Sequence, residues 1–301
     1  MTQPSSTGFA TAEPLPDIIA ARAPRKGILG LASRHLAATI GAFVLTLLVV
    51  VAILAPYLGT TDPLAISPAM RARAPSAQFW FGTDMLGRDL YSRVIYGTRI
   101  SLIVGFSVAA VATGLGAAVG VVAGYVRWVD GPIMRLMDAV MSIPSILFAI
   151  ALVALTKASV GNVVMAIAIA EIPRVARLVR GVVLSLRELA YIEAAVSSGT
   201  STASVIWRHI LPNAIAPITV QATYICASAM IIEATLSFIG AGTPATIPSW
   251  GNIMADGRAL WQVKPYIVMF PAAFLSLTVL AVNMVGDGLR DALDPRLAKA
   301  V

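Results

Sequence analysis

The residues of this chain that could do chemistry are few. Residues 191–212, YIEAAVSSGTSTASVIWRHILP, set Glu193, Arg208, His209 and a run of Ser and Thr between two strongly apolar flanks. Glu171 and Arg174 stand three apart in AIAIAEIPRVARLVR, a spacing at which helical side chains meet. His35 and His209 lie far apart with no carboxylate cluster between them, which argues against a metal site. Cys226 is alone and so excludes an intrachain disulfide. The run GTDMLGRD has two glycines at the spacing of a phosphate-cradling loop, but that loop needs Lys and then Ser or Thr. Arg88 and Asp89 follow instead, which argues against a nucleotide site. No Ser/His/Asp or Cys/His set can be placed on one aqueous surface. An integral membrane enzyme would need paired carboxylates or histidines at one depth, and none is found.

The elements that must carry these residues are apolar. Of the 301 residues 58% are hydrophobic and only 12% charged, against about 25% charged in a soluble domain. Mean hydropathy is +0.83. A spanning helix needs roughly 20 mostly apolar residues, and six candidates follow: 36–58, 99–126, 132–155, 162–183, 214–240 and 264–286. Backbone groups in lipid must pair internally, so these are helices and the fold class is an all-α integral membrane protein. The expected organisation is a disordered cytoplasmic tail (1–30), a first spanning helix with an exterior segment (31–98), a core transmembrane unit (99–290) and a cytoplasmic C-terminal tail (291–301). With both termini cytoplasmic, 14 of the 22 Lys and Arg fall inside, as the positive-inside bias expects. The net charge of +7 is then explained by topology, without nucleic acid.

Ala112, Gly116, Gly120 and Gly124 recur every fourth residue in the second span. Small residues at that spacing let helix backbones approach closely. The partner helix can belong to this chain or to another subunit. Pro144, Pro173, Pro217 and Pro271 fall within or near spans, where proline frees a carbonyl and kinks a helix. Glu171 falls near the middle of the fourth span, where a carboxylate faces a bundle interior or a wet cavity. It can simply pair with Arg174 or neutralise, or it can line a pathway and meet a cationic group such as a peptide amine.

Residues 184–198 have helix-forming composition. Gly199 suits a helix C-terminus, Thr200 and Ser201 suit the N-cap of a second short helix, and Pro212 is expected to close it. A helix–turn–helix over 185–212 therefore protrudes between the fourth and fifth spans. Its small residues at the bend suit a socket on another protein, but an amphipathic loop resting on lipid fits equally.

The EAA triplet, three residues, a glycine and then ILP resemble the cytoplasmic signature of ABC-importer permease subunits. Val196, Ser197 and Ser198 stand where peptide-transporting members carry Arg and then an aliphatic residue. FGTDMLGRDLYSRVIYGTRISL (81–102), LSFIGAGTPATIPSWG (236–251) and GDGLRDALDPR (286–296) resemble the second permease subunit of dipeptide, oligopeptide and nickel importers. The similarity runs from about residue 30 to 296. It implies the type I ABC-importer permease fold, with six transmembrane helices and a cytoplasmic coupling helix. Glu193, Ala194, Ala195, Gly199, Ile210, Leu211 and Pro212 would then be the positions that dock the ATPase. It also implies a second homologous permease, two ATP-binding subunits that hold ATP and magnesium, and an extracytoplasmic substrate-binding protein. The setting is a bacterial plasma membrane, with no cofactor and no catalysis on this chain. Peptide cargo is favoured; nickel, glutathione or another small solute is the alternative within the family. An ion-coupled secondary transporter fits less well, because its customary internal repeat is not found between 36–155 and 162–286.

Overall fold

The computed structural model describes residues 36–293, and among them every regular element is helical. The expected tails at 1–30 and beyond 293 lie outside the described residues. Ten α-helices run in chain order: α1 Leu36–Leu54, α2 Leu90–Tyr125, α3 Arg127–Met141, α4 Ser145–Ala154, α5 Val160–Arg187, α6 Ala190–Ser197, α7 Thr202–Val205, α8 Leu211–Ile239, α9 Trp250–Gly257 and α10 Tyr266–Leu293. Four stretches are long and apolar enough to cross a membrane: Leu36–Tyr57, Leu90–Tyr125, Thr202–Ile239 and Tyr266–Leu293.

The remaining two expected spans take different forms. The third is two helices, α3 and α4, bent by 86° at a short break. Pro144 precedes α4 with φ −53° and ψ 130°, out of the helical region. It marks a true break rather than a kink within one rod. Pro173, Pro217 and Pro271, by contrast, lie inside helices that continue through them. The fourth expected span is α5. Its 28 residues make it about 42 Å long, enough to span. Glu171, Arg174 and Arg177 along it set it apart from the plainly apolar helices.

The second span begins nine residues before its expected start at 99, at Leu90. Asp89 caps it by accepting a hydrogen bond from the Ser92 backbone N–H at 2.9 Å. Hydropathy hides this first part because Arg93 lies in it and Arg99 directly follows. Both are spent inside the protein: Arg93 is wholly buried, and Arg99 donates to the carbonyls of Ala52 and Ile53 at the end of α1. Such terminal carbonyls have no intrahelical donor.

The main core lies among α2, α5 and α8, with Val108, Ala112, Ile167, Val175, Val179 and Met230 buried. A second cluster of Leu90, Val94, Trp250, Ile253 and Ile267 closes the end where α2 begins. The small-residue stripe of α2 packs against α5. A Cβ added at Gly116 would stand 2.5 Å from Val175 Cβ, one at Gly120 2.6 Å from the Ala176 carbonyl, and one at Gly124 2.7 Å from Val183 Cβ. Its partner helix belongs to this chain, and the alternative of a contact with another subunit is set aside. The absence of Cβ atoms is what lets the two backbones meet.

Candidate functional site

The 185–212 segment is built as two short helices about a glycine. α5 ends at Arg187, whose Nη1 donates to the Gly124 carbonyl at 3.0 Å. That contact ties the end of α5 to the end of α2. Leu189 is extended, and its carbonyl receives the N–H groups of Ile192 and Glu193, which starts α6. The expected single helix over 184–198 is therefore two, parted at Leu189. At the far end of α6, Gly199 has φ +81°. The N–H of Gly199 donates to Val196 O at 3.0 Å and that of Thr200 to Ala195 O at 3.1 Å. This pair of bonds is the Schellman closure of a helix, which needs a left-handed residue at the position of Gly199. Ser201 stands at the N-cap of α7 but makes no side-chain capping bond.

Pro212 does not close the second helix. A π-turn over Ile206–Ile210 carries α7 directly into α8, and Pro212 falls in the first turn of α8. Inside this continuous stretch proline lacks an N–H for the ladder, and the π-turn just before it is where that interruption is absorbed. The π-turn's longer bond, Leu211 N–H to Ile206 O, takes up the extra residue. Asn213 Nδ2 donates to the His209 carbonyl at 2.6 Å. The result is one continuous helical stretch, Thr202–Ile239, of 38 residues.

The signature positions divide by burial. Ile210 is buried, together with Ile192 and Val205, and these three anchor the element to the core. Glu193, Ala194, Gly199 and Pro212 are exposed, while Ala195 and Leu211 are half-buried. Leu189, Tyr191, Val196 and Trp207 are exposed large side chains on the same element. Beside it runs an open groove of about 650 Å³, lined by Tyr125, Arg127, Arg187, Glu188, Glu193 and Val196.

Halfway along α5 the structure brings Glu171 and Arg174 together, Arg174 Nη1 donating to Glu171 Oε2 at 2.7 Å. The Glu171 side chain is 1% exposed and that of Arg174 42%. Further along, Arg177 pairs with Asp138 at 2.5 Å and Arg180 with Asp130 at 2.5 Å, which fastens the amphipathic α3 to α5.

Two polar groupings at the opposite end carry no label in a sequence-only reading. Asp84 Oδ2 accepts from Arg88 Nε at 2.6 Å and Arg93 Nη1 at 2.5 Å, while Asp256 Oδ2 accepts from both arginines at 2.7 Å. GTDMLGRD is thus a turn that aims Asp84 and Arg88 at each other, with Gly82 and Gly87 at positive φ. Glu233, fully buried in α8, accepts from Ser237 Oγ at 2.8 Å and Thr243 Oγ1 at 3.2 Å. An acid one helical turn before a serine in an otherwise apolar run was the available signal for Glu233. Nothing in the sequence linked Arg93 to Asp256, 163 positions away. The motifs 81–102 and 236–251 meet here: Trp250 donates from Nε1 to Val94 O at 3.2 Å.

The profile of the family described as "Binding-protein-dependent transport system inner membrane component" matches residues 110–299. A probable peptide ABC transporter permease protein, y4tQ, of Sinorhizobium fredii is 51% identical, over 89% of this chain and 92% of its own length. The dipeptide transport system permease protein DppC of Alkalihalophilus pseudofirmus is 44% identical over 86% of each chain. The glutathione transport system permease protein GsiD of Pectobacterium atrosepticum is 42% identical over 88% of each. In fold, the chain is similar to an inward-facing structure of the MetNI methionine ABC transporter, with a TM-score of 0.56 over 68% of this chain and 98% of that one, at 16% identity. The type I importer permease fold and the match of profile and relatives along most of the chain agree, and this protein belongs to the binding-protein-dependent transport system inner membrane components, the permease subunits of ABC transporters.

Proposed function

We propose that this chain is one membrane-spanning half of an ATP-driven importer of peptides. The observation that carries the cargo class is the 51% identity, over 89% of the chain, to a permease named for peptide transport. Glutathione is a second reading, favoured by the 42% identity to the glutathione permease over 88% of the chain. In this reading the chain pairs with a second homologous permease. Two ATPase subunits, which hold ATP and magnesium, dock on the cytoplasmic side, and an extracytoplasmic binding protein delivers the solute. The chain itself carries no cofactor and makes no covalent bond. It sits in a bacterial plasma membrane with both termini cytoplasmic.

The mechanism follows from how the 190–212 segment is joined to the rest. Its exposed face, with Glu193, Ala194 and Gly199 and the half-buried Ala195 beside them, enters a cleft of the ATPase, while Ile192, Val205 and Ile210 hold its other face to the core. Leu211 and Pro212 join it to α8 without a flexible link. Movement of the docked ATPases on binding ATP therefore moves α8 as a lever rather than folding a loop. Alternating access then requires ATP and solute each to bind one state of the helices better than the other. The pairing of Glu171 with Arg174 and its burial favour a structural role for Glu171 over direct contact with the solute.

Reconstitution tests this. The chain, its companion permease, the two ATPases and the binding protein are placed in vesicles and given radiolabelled dipeptide. Uptake is expected only with ATP and the binding protein. Uptake driven by an ion gradient without ATP sinks the importer reading. Transport of glutathione but of no dipeptide selects the second cargo.

A further inference from the structure

Arg174 has an arrangement that the coupling mechanism does not use. We propose that it is an anion-binding residue of the translocation pathway, taking the C-terminal carboxylate of a passing peptide. The proposal rests on the peptide-importer reading above and names a chemical feature of the cargo that this chain itself contacts.

Its position is the middle of a long helix. Arg174 is the fifteenth residue of the 28-residue α5, so it lies about 20 Å from either end. With α5 as a spanning helix, a charge midway along it faces protein or a water-filled cavity. Next to it the backbone is broken. Residues 142–144 between α3 and α4 are non-helical and exposed. Irregular backbone at membrane depth is tolerated only where it is buried in protein or lines a wet cavity. Arg174 and this elbow share one cavity of about 220 Å³, lined also by Met141, Pro144, Ser145, Phe148 and Ala170. Two independent features, a half-exposed cation and an open break in a helix, thus point into one space.

The guanidinium is held for contact. Glu171 takes one nitrogen, Nη1, at 2.7 Å, and the Tyr224 ring of α8 lies 5.7 Å from the Arg174 Cζ. No hydrogen bond from Nε or Nη2 is found among the described residues. Those two donors form the edge of the guanidinium that receives a carboxylate in bidentate fashion. Arg177 and Arg180 use their charge to clasp α3, whereas Arg174 pairs only with an acid on its own helix. The pair also selects the sign of the ligand. Glu171 is 1% exposed and is not among the residues that line the cavity, whereas Arg174 is. An approaching group meets the cation first, so an ammonium is repelled and a carboxylate is attracted. Glu171 is a positioning residue here.

The test uses the complete reconstituted complex on a Cys226→Ser background. Arg174→Gln is compared with wild type for a dipeptide and for its C-terminal amide, so that selection by the binding protein cancels in each ratio. Uptake of the free acid is expected to fall about tenfold or more, as for loss of a charge-assisted hydrogen-bond pair. Uptake of the amide is expected to change less than about twofold. Arg174→Gln leaves Glu171 without its partner, so Glu171→Gln/Arg174→Gln is measured beside it to remove any buried unpaired charge. The double variant should assemble normally and show the same selective loss. As a second arm, Arg174→Cys is modified with an aminoethyl or a sulfonatoethyl methanethiosulfonate. Both are expected to react, and only the cationic adduct to restore uptake. Equal loss for acid and amide, equal rescue by both adducts, or a thiol that neither reagent reaches overturns the anion site. Failure of the wild-type complex to import any dipeptide is a failure of the cargo reading instead, and is seen without any variant.

Discussion

Arg93 shows how far the surroundings of one side chain can reverse its meaning. Read along the chain, it is one of several basic residues in an expected exterior segment. In the structure it has no exposed surface, and its Nη1 bridges Asp84 and Asp256. Removing one member of a buried ionic set costs roughly 3–5 kcal/mol, because the remaining charges stay buried without compensation. Arg93→Met keeps the bulk and deletes the charge. It is expected to lower the melting temperature of the purified permease clearly, and Asp256→Asn, at the half-exposed edge of the set, by less. Equal melting of Arg93→Met and wild type argues against this network as a stabilising clamp. Glu171 was legible as an acid in a span but not as the buried half of a pair whose open half is Arg174. The i+3 spacing says that the two can touch, and only the packing of α5 says which of them faces open space.

At the scale of elements, the short helices about Gly199 follow from local chemistry. A glycine before Thr and Ser, after a run of helix formers, carries the signal for a left-handed closure, and φ at Gly199 is +81°. A residue with a Cβ there costs about 1–2 kcal/mol in backbone strain, although the space around it is open, with nothing within 4 Å of an added Cβ. Gly199→Arg should therefore leave the fold and membrane insertion intact. It is expected to uncouple the complex: ATP hydrolysis persists while uptake falls at least about tenfold, measured in the same vesicles. Normal transport by that variant removes Gly199 from the docking surface. The other end of the element was not legible. Proline is expected to break a helix interior, and the π-turn over Ile206–Ile210 instead carries the helix through Pro212. Pro144 shows the converse, since a span of ordinary length and hydropathy is broken there by 86°.

For the molecule as a whole, topology is the property most open to a direct check. The ends of α2 and α5 near Gly124 and Arg187 lie with the 190–212 element, and the motif cluster around Trp250 and Asp84 lies at the other end. If the first is cytoplasmic and the second extracytoplasmic, single cysteines on a Cys226→Ser background separate cleanly. Ser76→Cys and Thr246→Cys are expected to react with an impermeant maleimide in sealed cells, and Thr202→Cys only after permeabilisation. Labelling of position 202 from outside overturns the orientation.

Composition and periodicity by themselves determined the class of this protein. A chain with so few charges and repeated apolar runs must pair its backbone within helices, and the ordered motifs pointed to an importer permease. The small-residue stripe was visible too, because spacing of four is a property of one helix. What it packs against was not, since that depends on a second helix some 60 residues later: Gly116 and Val175 meet only once α2 and α5 lie side by side. The same holds for the charges. Sequence gives their number and order, but whether an arginine faces water, caps a carbonyl, clasps a neighbour or waits in a cavity depends on distances through space. Arg99, Arg93, Arg180 and Arg174 take these different parts within one fold, because tertiary packing alone decides which acceptors come within reach.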